Sequence, residues 1–153
     1  MKFVGTAPGA PQIKVIPANG HWLFPETMGI GVGFVYVIYD IFMRRAYIGK
    51  KNYFFKGLKS GPSSDWKKYV SSSKLLALML EERPKEDFEF ICLEQYNTKG
   101  TLSYAETWSI CHVEAPTTAN WYNTLIPKVS WNVKEPISER HKQRLTNIMG
   151  RIR

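Results

Sequence analysis

Short apolar runs alternate with polar and Gly/Pro-rich breaks along the chain, and the period of the runs changes from strand-like to helix-like. Gly33–Asp40, Gly-Phe-Val-Tyr-Val-Ile-Tyr-Asp, is rich in Val, Ile and aromatics and predicts a strand. Residues 41–45 carry charge and read as a connection. Residues 45–50 predict a second strand ending at Gly49, and the short separation predicts an antiparallel hairpin. A Lys/Gly/Ser/Pro loop follows over 56–64, where Ser64 or Asp65 is placed to cap a helical turn at 66–69. Residues 74–83 carry an apolar stripe of Leu75, Leu76, Leu78, Met79 and Leu80, which predicts a helix ended by Pro84. A third strand is predicted over 88–95, a helix over 102–114 with Ser103 as its cap, a short last strand over 121–126 and a basic helix over 136–153. Pro8, Pro11, Pro17 and Pro25 keep residues 1–30 mostly irregular, with a short strand over 13–16. The order β-β-α-β-α-β predicts an α+β fold, a small central antiparallel sheet flanked by helices. We divide the chain into an N-terminal extension (1–29), a central domain (30–130) and a basic C-terminal tail (131–153).

Composition adds a partner class. The 153 residues suffice for one domain with a real core. The net charge of +8 favours an anionic partner, a nucleic acid or an anionic membrane surface. Aromatics, at 14%, are high: some must fill the core, and others suit a surface that meets bases or sugars. Cys92 and Cys111 sit in apolar stretches and read as small core residues, not as a disulfide framework, and no Cys/His spacing suits zinc. The longest apolar run, 29–39, is far short of a membrane span, and residues 1–11 lack the apolar core of a signal peptide. A soluble intracellular protein is expected.

Five pieces of sequence carry the candidate chemistry. Tyr36 in Phe34-Val35-Tyr36 is followed, eleven residues later, by Tyr47 in Tyr47-Ile48-Gly49, which continues into Lys50-Lys51. Asp65-Trp66-Lys67-Lys68-Tyr69 is a cationic aromatic segment. Lys99-Gly100-Thr101-Leu102-Ser103-Tyr104-Ala105-Glu106 opens a helix, and Tyr122-Asn123 comes last. In this order the pieces resemble the paired signature, first helix, metal-binding glutamate and late Tyr-Asn pair of the GIY-YIG endonucleases, in their phage-encoded, homing-type branch. The resemblance covers about residues 33–126.

The resemblance implies a nuclease that hydrolyses DNA phosphodiesters with one divalent ion, Mg²⁺ or Mn²⁺, and no organic cofactor, working in the host cytoplasm if phage-encoded. It implies that Glu106 holds the ion, that Tyr36 is the base with Tyr47 positioning the phosphate or sharing that role, and that Asn123 orients a neighbour. The chemistry is coherent on its own terms. Hydrolysis needs an activated water and neutralised phosphate charge, one carboxylate holds a hard cation, and a tyrosine whose pKa is lowered by nearby cations accepts a water proton. Lys50, Lys51 and Trp66 are expected at the DNA, with Arg140, Lys142 and Arg144 of the tail as an appended contact. The family's usual arginine is missing: residues 50–64 contain none, and the first arginine after Gly49 is Arg83. Lys67 or Lys68 is expected to stand in, helped by Lys50 or Lys51. That departure motivates a rival, a DNA-binding module that keeps the fold and has lost cutting. Each residue also has a plainer role: strand tyrosines packing across a sheet, a first-turn glutamate, a turn asparagine, and a tail helix packing through Ile137, Leu145 and Ile148.

Overall fold

The computed structural model describes residues 2–4, 13–54 and 63–152. A two-stranded ribbon, β1 (Lys2–Val4) and β2 (Ile13–Val15), precedes the main sheet. The sheet holds four strands among the described residues, β3 (Trp22–Leu23), β4 (Gly33–Asp40), β5 (Arg45–Asn52) and β6 (Phe88–Tyr96), in the order β3-β6-β4-β5. β4 pairs antiparallel with both β5 and β6, while β3 adds a short parallel edge. The fold is α+β. The expected loop over 56–64 lies outside the described residues except for Ser63 and Ser64.

Alternation along β4 builds two cores. Val35, Val37 and Tyr39 point to one face, where α2 (Lys99–His112) and α3 (Glu139–Ile152) cover them. Phe34, Tyr36 and Ile38 point to the other, under Trp22, Trp66 and Leu76 of α1 (Lys74–Glu82). Every β4 residue is buried, as a central strand covered on both faces requires. Buried Leu145, Ile148 and Ile152 seat α3 on the sheet, each contributing about 1.5–3 kcal/mol. Among the described residues no helix is long and apolar enough to cross a membrane.

Several local expectations are corrected. The helix over Glu106 starts three residues earlier than predicted, because Thr98 caps it by accepting from the Thr101 amide. Ser103 lies inside it. The turn at 66–69 is a 3-10 helix, Trp66–Lys68, with no side-chain cap from Asp65. Residues 121–126 do not form a strand: only Trp121 bridges Ala46, and the chain then leaves the sheet edge. Trp22–Leu23 was too short to announce itself by period.

Candidate active site

The hairpin register explains the spacing of the two tyrosines. Tyr36 lies opposite Gly49, and Ile38 lies opposite Tyr47. Tyr36 and Tyr47 are therefore diagonal neighbours on one face, with ring centroids 6.4 Å apart. A Cβ at Gly49 would collide with the Tyr36 hydroxyl, so glycine is the residue that lets the ring lie across β5. Beside Tyr36 the β4–β6 ladder is interrupted by a bulge, and Ser71 holds a φ of 104° that L-residues rarely adopt.

Tyr36 is 1% exposed. Burial pushes its hydroxyl pKa well above the ordinary value, the Ser71 hydroxyl pulls downward, and Tyr69, Tyr47 and Glu106 add to the rise. The cationic environment expected to lower it is not there among the described residues. Tyr47 is only half-buried and lines a cleft of about 530 Å³.

The same cleft gathers Lys50, Ser72, Ser73, Glu106 and Asn123. Helical spacing brings Ser103, Glu106 and Ile110 onto one stripe of α2, turned toward β5. Lys50 is reached by alternation: Ala46 and Ile48 point toward α2, so Lys50 does too, and its Nζ donates to Ser103 Oγ at 2.9 Å. Glu106 is 7% exposed and makes no ion pair among the described residues. Burial raises its pKa to about 7, against a smaller downward pull from the Lys50 charge and backbone amide.

Asn123 clamps the edge strand. Its Oδ1 accepts from the Ile48 amide at 2.9 Å and its Nδ2 donates to the Ile48 carbonyl at 2.8 Å. The side chain thus supplies both bonds that a neighbouring strand would have made. The next residue back, Tyr122, donates its hydroxyl to Asp40 at 2.9 Å. Asp40 is fully buried: burial alone would raise its pKa, but the paired Arg83 guanidinium, with the Met43 amide and Tyr122, holds it below the ordinary carboxylate value.

The donor set fits a hard divalent ion and not a closed protein cage. Among the described residues no group of three or more His, Cys, Asp or Glu side chains converges. One buried, unpaired carboxylate opening on a polar cleft suits a magnesium-like ion that keeps waters and takes phosphate oxygens.

Other expected site residues are not brought to this cleft. Lys67 and Lys68 line a second one, of about 520 Å³, with Gly20, His21 and Lys85. The cation in the first cleft is Lys50. Arg83 is committed to Asp40 and Asp87 and is no substitute arginine. Lys51 pairs with Asp65 at 3.1 Å and its Nζ sits 4.0 Å from the centre of the Tyr69 ring. Trp66 is buried against Phe34 and Tyr53, so its ring is no free platform for a base. In the tail, Arg140 grips Glu94 and Glu26, and Arg144 donates to the carbonyls of Cys92 and Leu23. These two guanidinium groups hold α3 to the sheet. Lys142, half-buried like the other two, pairs instead with Glu139 of its own helix. Sequence reasoning overlooked Ser72, Ser73 and Ser103, although the parity of β5 was available to mark Lys50 as the cleft's cation.

Residues 20–126, well over half of the chain, match the family model described as "Putative endonuclease segE, GIY-YIG domain". No curated protein and no solved structure matches. The match takes in the hairpin, Glu106 and the Asn123 clamp, all of which contribute residues to the cleft. On this ground the chain belongs to the GIY-YIG endonuclease family.

Proposed function

We propose that the protein is a divalent-metal-dependent endonuclease, of homing type, that hydrolyses DNA phosphodiester bonds in the cleft between β5 and α2. One observation carries the reading: Glu106, buried yet unpaired, shares a polar cleft with Lys50, Tyr47 and Asn123. A carboxylate kept at such desolvation cost, with no ion pair among the described residues, is expected where a cation completes the site. Glu106 would hold the ion, Mg²⁺ or Mn²⁺, which when bound neutralises phosphate charge and acidifies water.

The remaining work falls to the protein's own groups. Lys50, fixed by Ser103, stabilises charge on the phosphate in the role expected of Lys67 or Lys68. Lysine lacks the bidentate fork of arginine, so the anchoring bond to Ser103 supplies the orientation. Tyr47, half-open to the cleft, positions the attacking water. Tyr36 is the poorer base while its proton is held by burial, and its ring supports Tyr47 and Gly49 from behind. Asn123 keeps Ile48, and with it Tyr47 and Lys50 on either side, in fixed register.

The absence of arginine from the cleft among the described residues favours one rival, a DNA-binding module without cutting activity. Nicking of supercoiled plasmid in Mg²⁺, Mn²⁺ or EDTA decides between them. The expected result is metal-dependent nicking that Glu106→Gln abolishes and that Tyr47→Phe lowers by about 10²-fold or more, with Tyr36→Phe milder than Tyr47→Phe. DNA binding without product in any metal would establish the rival.

A further inference from the structure

Beyond Asn123 the chain runs back along α2 with no helix or strand until α3. Backbone atoms pin it there. The Thr107 hydroxyl donates to the Pro127 carbonyl at 3.1 Å, and Thr101 Oγ1 accepts from the amides of Lys134 and Glu135 at 3.0 and 3.1 Å. Gly100 lies so close to the Asn132 carbonyl that a Cβ would collide with it.

Held by its main chain, the segment turns large apolar side chains outward. Leu125 is 80% exposed, Trp131 is 60% exposed, and Ile126 is open too. Lys128 and Lys134 are exposed between and beside them. Lys99, on the first turn of α2, places its Nζ 5.4 Å from the centre of the Trp131 ring. Among the described residues none of these three lysines enters an ion pair. A single exposed leucine needs no explanation, but an anchored strip of apolar groups and free cations marks a binding surface. The strip is continuous with the candidate active site, because Leu125 and Ile126 line the cleft that holds Glu106.

We infer that residues 124–134, with Lys99, form a nucleic-acid track that takes the DNA strand as it leaves the cleft. Leu125 and Ile126 pack on sugars or base edges next to the reacting phosphate. Lys128, Lys134 and Lys99 meet phosphates further along. Trp131 stacks on a base or deoxyribose, with the Lys99 ammonium beside it for the adjoining phosphate. Charge complementarity and apolar faces interleaved with cations select nucleic acid, in which bases and phosphates alternate along the strand. This inference rests on the reading of the protein as one that acts on DNA.

The test measures binding apart from cutting. Full-length chain carrying Glu106→Gln is titrated in EDTA against a short fluorescein-labelled random-sequence DNA, as a single strand and as its duplex, and read by anisotropy. Adding Trp131→Ala is expected to weaken binding about tenfold, more for the single strand, and Trp131→Tyr to restore most of it. Lys128→Ala with Lys134→Ala is expected to lower the slope of log affinity against log salt by about one per lysine. Lys85→Ala, outside the strip, serves as a single-charge control and leaves the salt slope unchanged. Equal affinities for the parent, Trp131→Ala and double-lysine chains would overturn the track, as would no binding by the parent at low salt. A protein that binds through the strip yet never nicks plasmid would refute the nuclease reading alone. One that nicks while the strip variants bind normally would refute the track alone.

Discussion

Glu106 is a carboxylate in a place that disfavours its charge. Its folded pKa of about 7 stands above the ordinary 4.5, so between those values the folded chain binds the extra proton. Stability from this group is therefore full below pH 4.5 and is lost as pH rises through 7. At roughly 1.4 kcal/mol per unit, the ionised group costs on the order of 3 kcal/mol above neutrality. Glu106→Gln should raise the unfolding free energy at pH 8 by an amount of that order and change little at pH 4. Denaturant melts at the two pH values check this, and equal effects at both would sink it. Glu106 could be picked out in the sequence because it stands a short distance into a helix that follows a recognisable Lys-Gly-Thr-Leu-Ser run. Its desolvation could not, since that depends on β5 and Asn123 closing over it from far along the chain.

The hairpin was the most legible element, because eight alternating residues in β4 bury both faces and a short turn fixes the register. The edge beyond β5 was not. Trp121 to Asn123 looks strand-like, yet pairing is carried by an Asn side chain as well as by main-chain bonds from Ala46 to Asn120 and Tyr122. Nothing in local propensity distinguishes an asparagine that replaces a strand from one that ends a turn. The clamp also covers the exposed bonding groups that make edge strands prone to mispairing. Asn123→Asp keeps the acceptor for the Ile48 amide and sets a carboxylate oxygen against the Ile48 carbonyl. The expected loss is about 1–3 kcal/mol, with faster hydrogen exchange at the Ile48 amide than at the Val37 amide. Unchanged protection of Ile48 would show that the clamp does not hold the strand. Lys67 and Lys68 lie away from the first cleft for a related reason: the 3-10 turn that carries them lines the second cleft while Trp66 enters the core.

Across the whole molecule, buried ionisable groups pull in opposite directions with pH. His141 is fully buried between the Tyr96 hydroxyl and Ser109 Oγ, and burial, helped by the Lys142 charge, lowers its pKa to about 3. His21, stacked on Phe90, is lowered to about 4, again by burial first and by Lys85 second. Both are depressed below the ordinary 6.5, so the unfolded chain takes up protons first and their stabilisation is lost as pH falls from about 6.5 toward 3. Asp40, held low by Arg83, adds its own loss only below its ordinary value of 3.8. The thermal midpoint should therefore fall steeply on acidification below pH 6 even in Glu106→Gln, where the opposing contribution is gone. A flat midpoint between pH 4 and pH 6 in that variant would contradict the neutral, buried state of His141. The net charge of +8 signalled an anionic partner but not where it docks. Two tail arginines that inflate that count face inward, to Glu94, Glu26 and backbone carbonyls.

The seating of α3 has a consequence for the order in which the protein matures on the ribosome. Every residue of the proposed cleft lies before residue 128, ahead of α3 in the order of synthesis. Leu145, Ile148 and Ile152 nonetheless fill the core behind β4 and β6, and Arg144 ties β3 to β6 through two carbonyls. Until α3 has emerged, the sheet that aligns Tyr47, Lys50 and Glu106 lacks part of one covering layer. A chain that stalls before α3 thus carries the residues of the proposed cleft without one of the layers that align them.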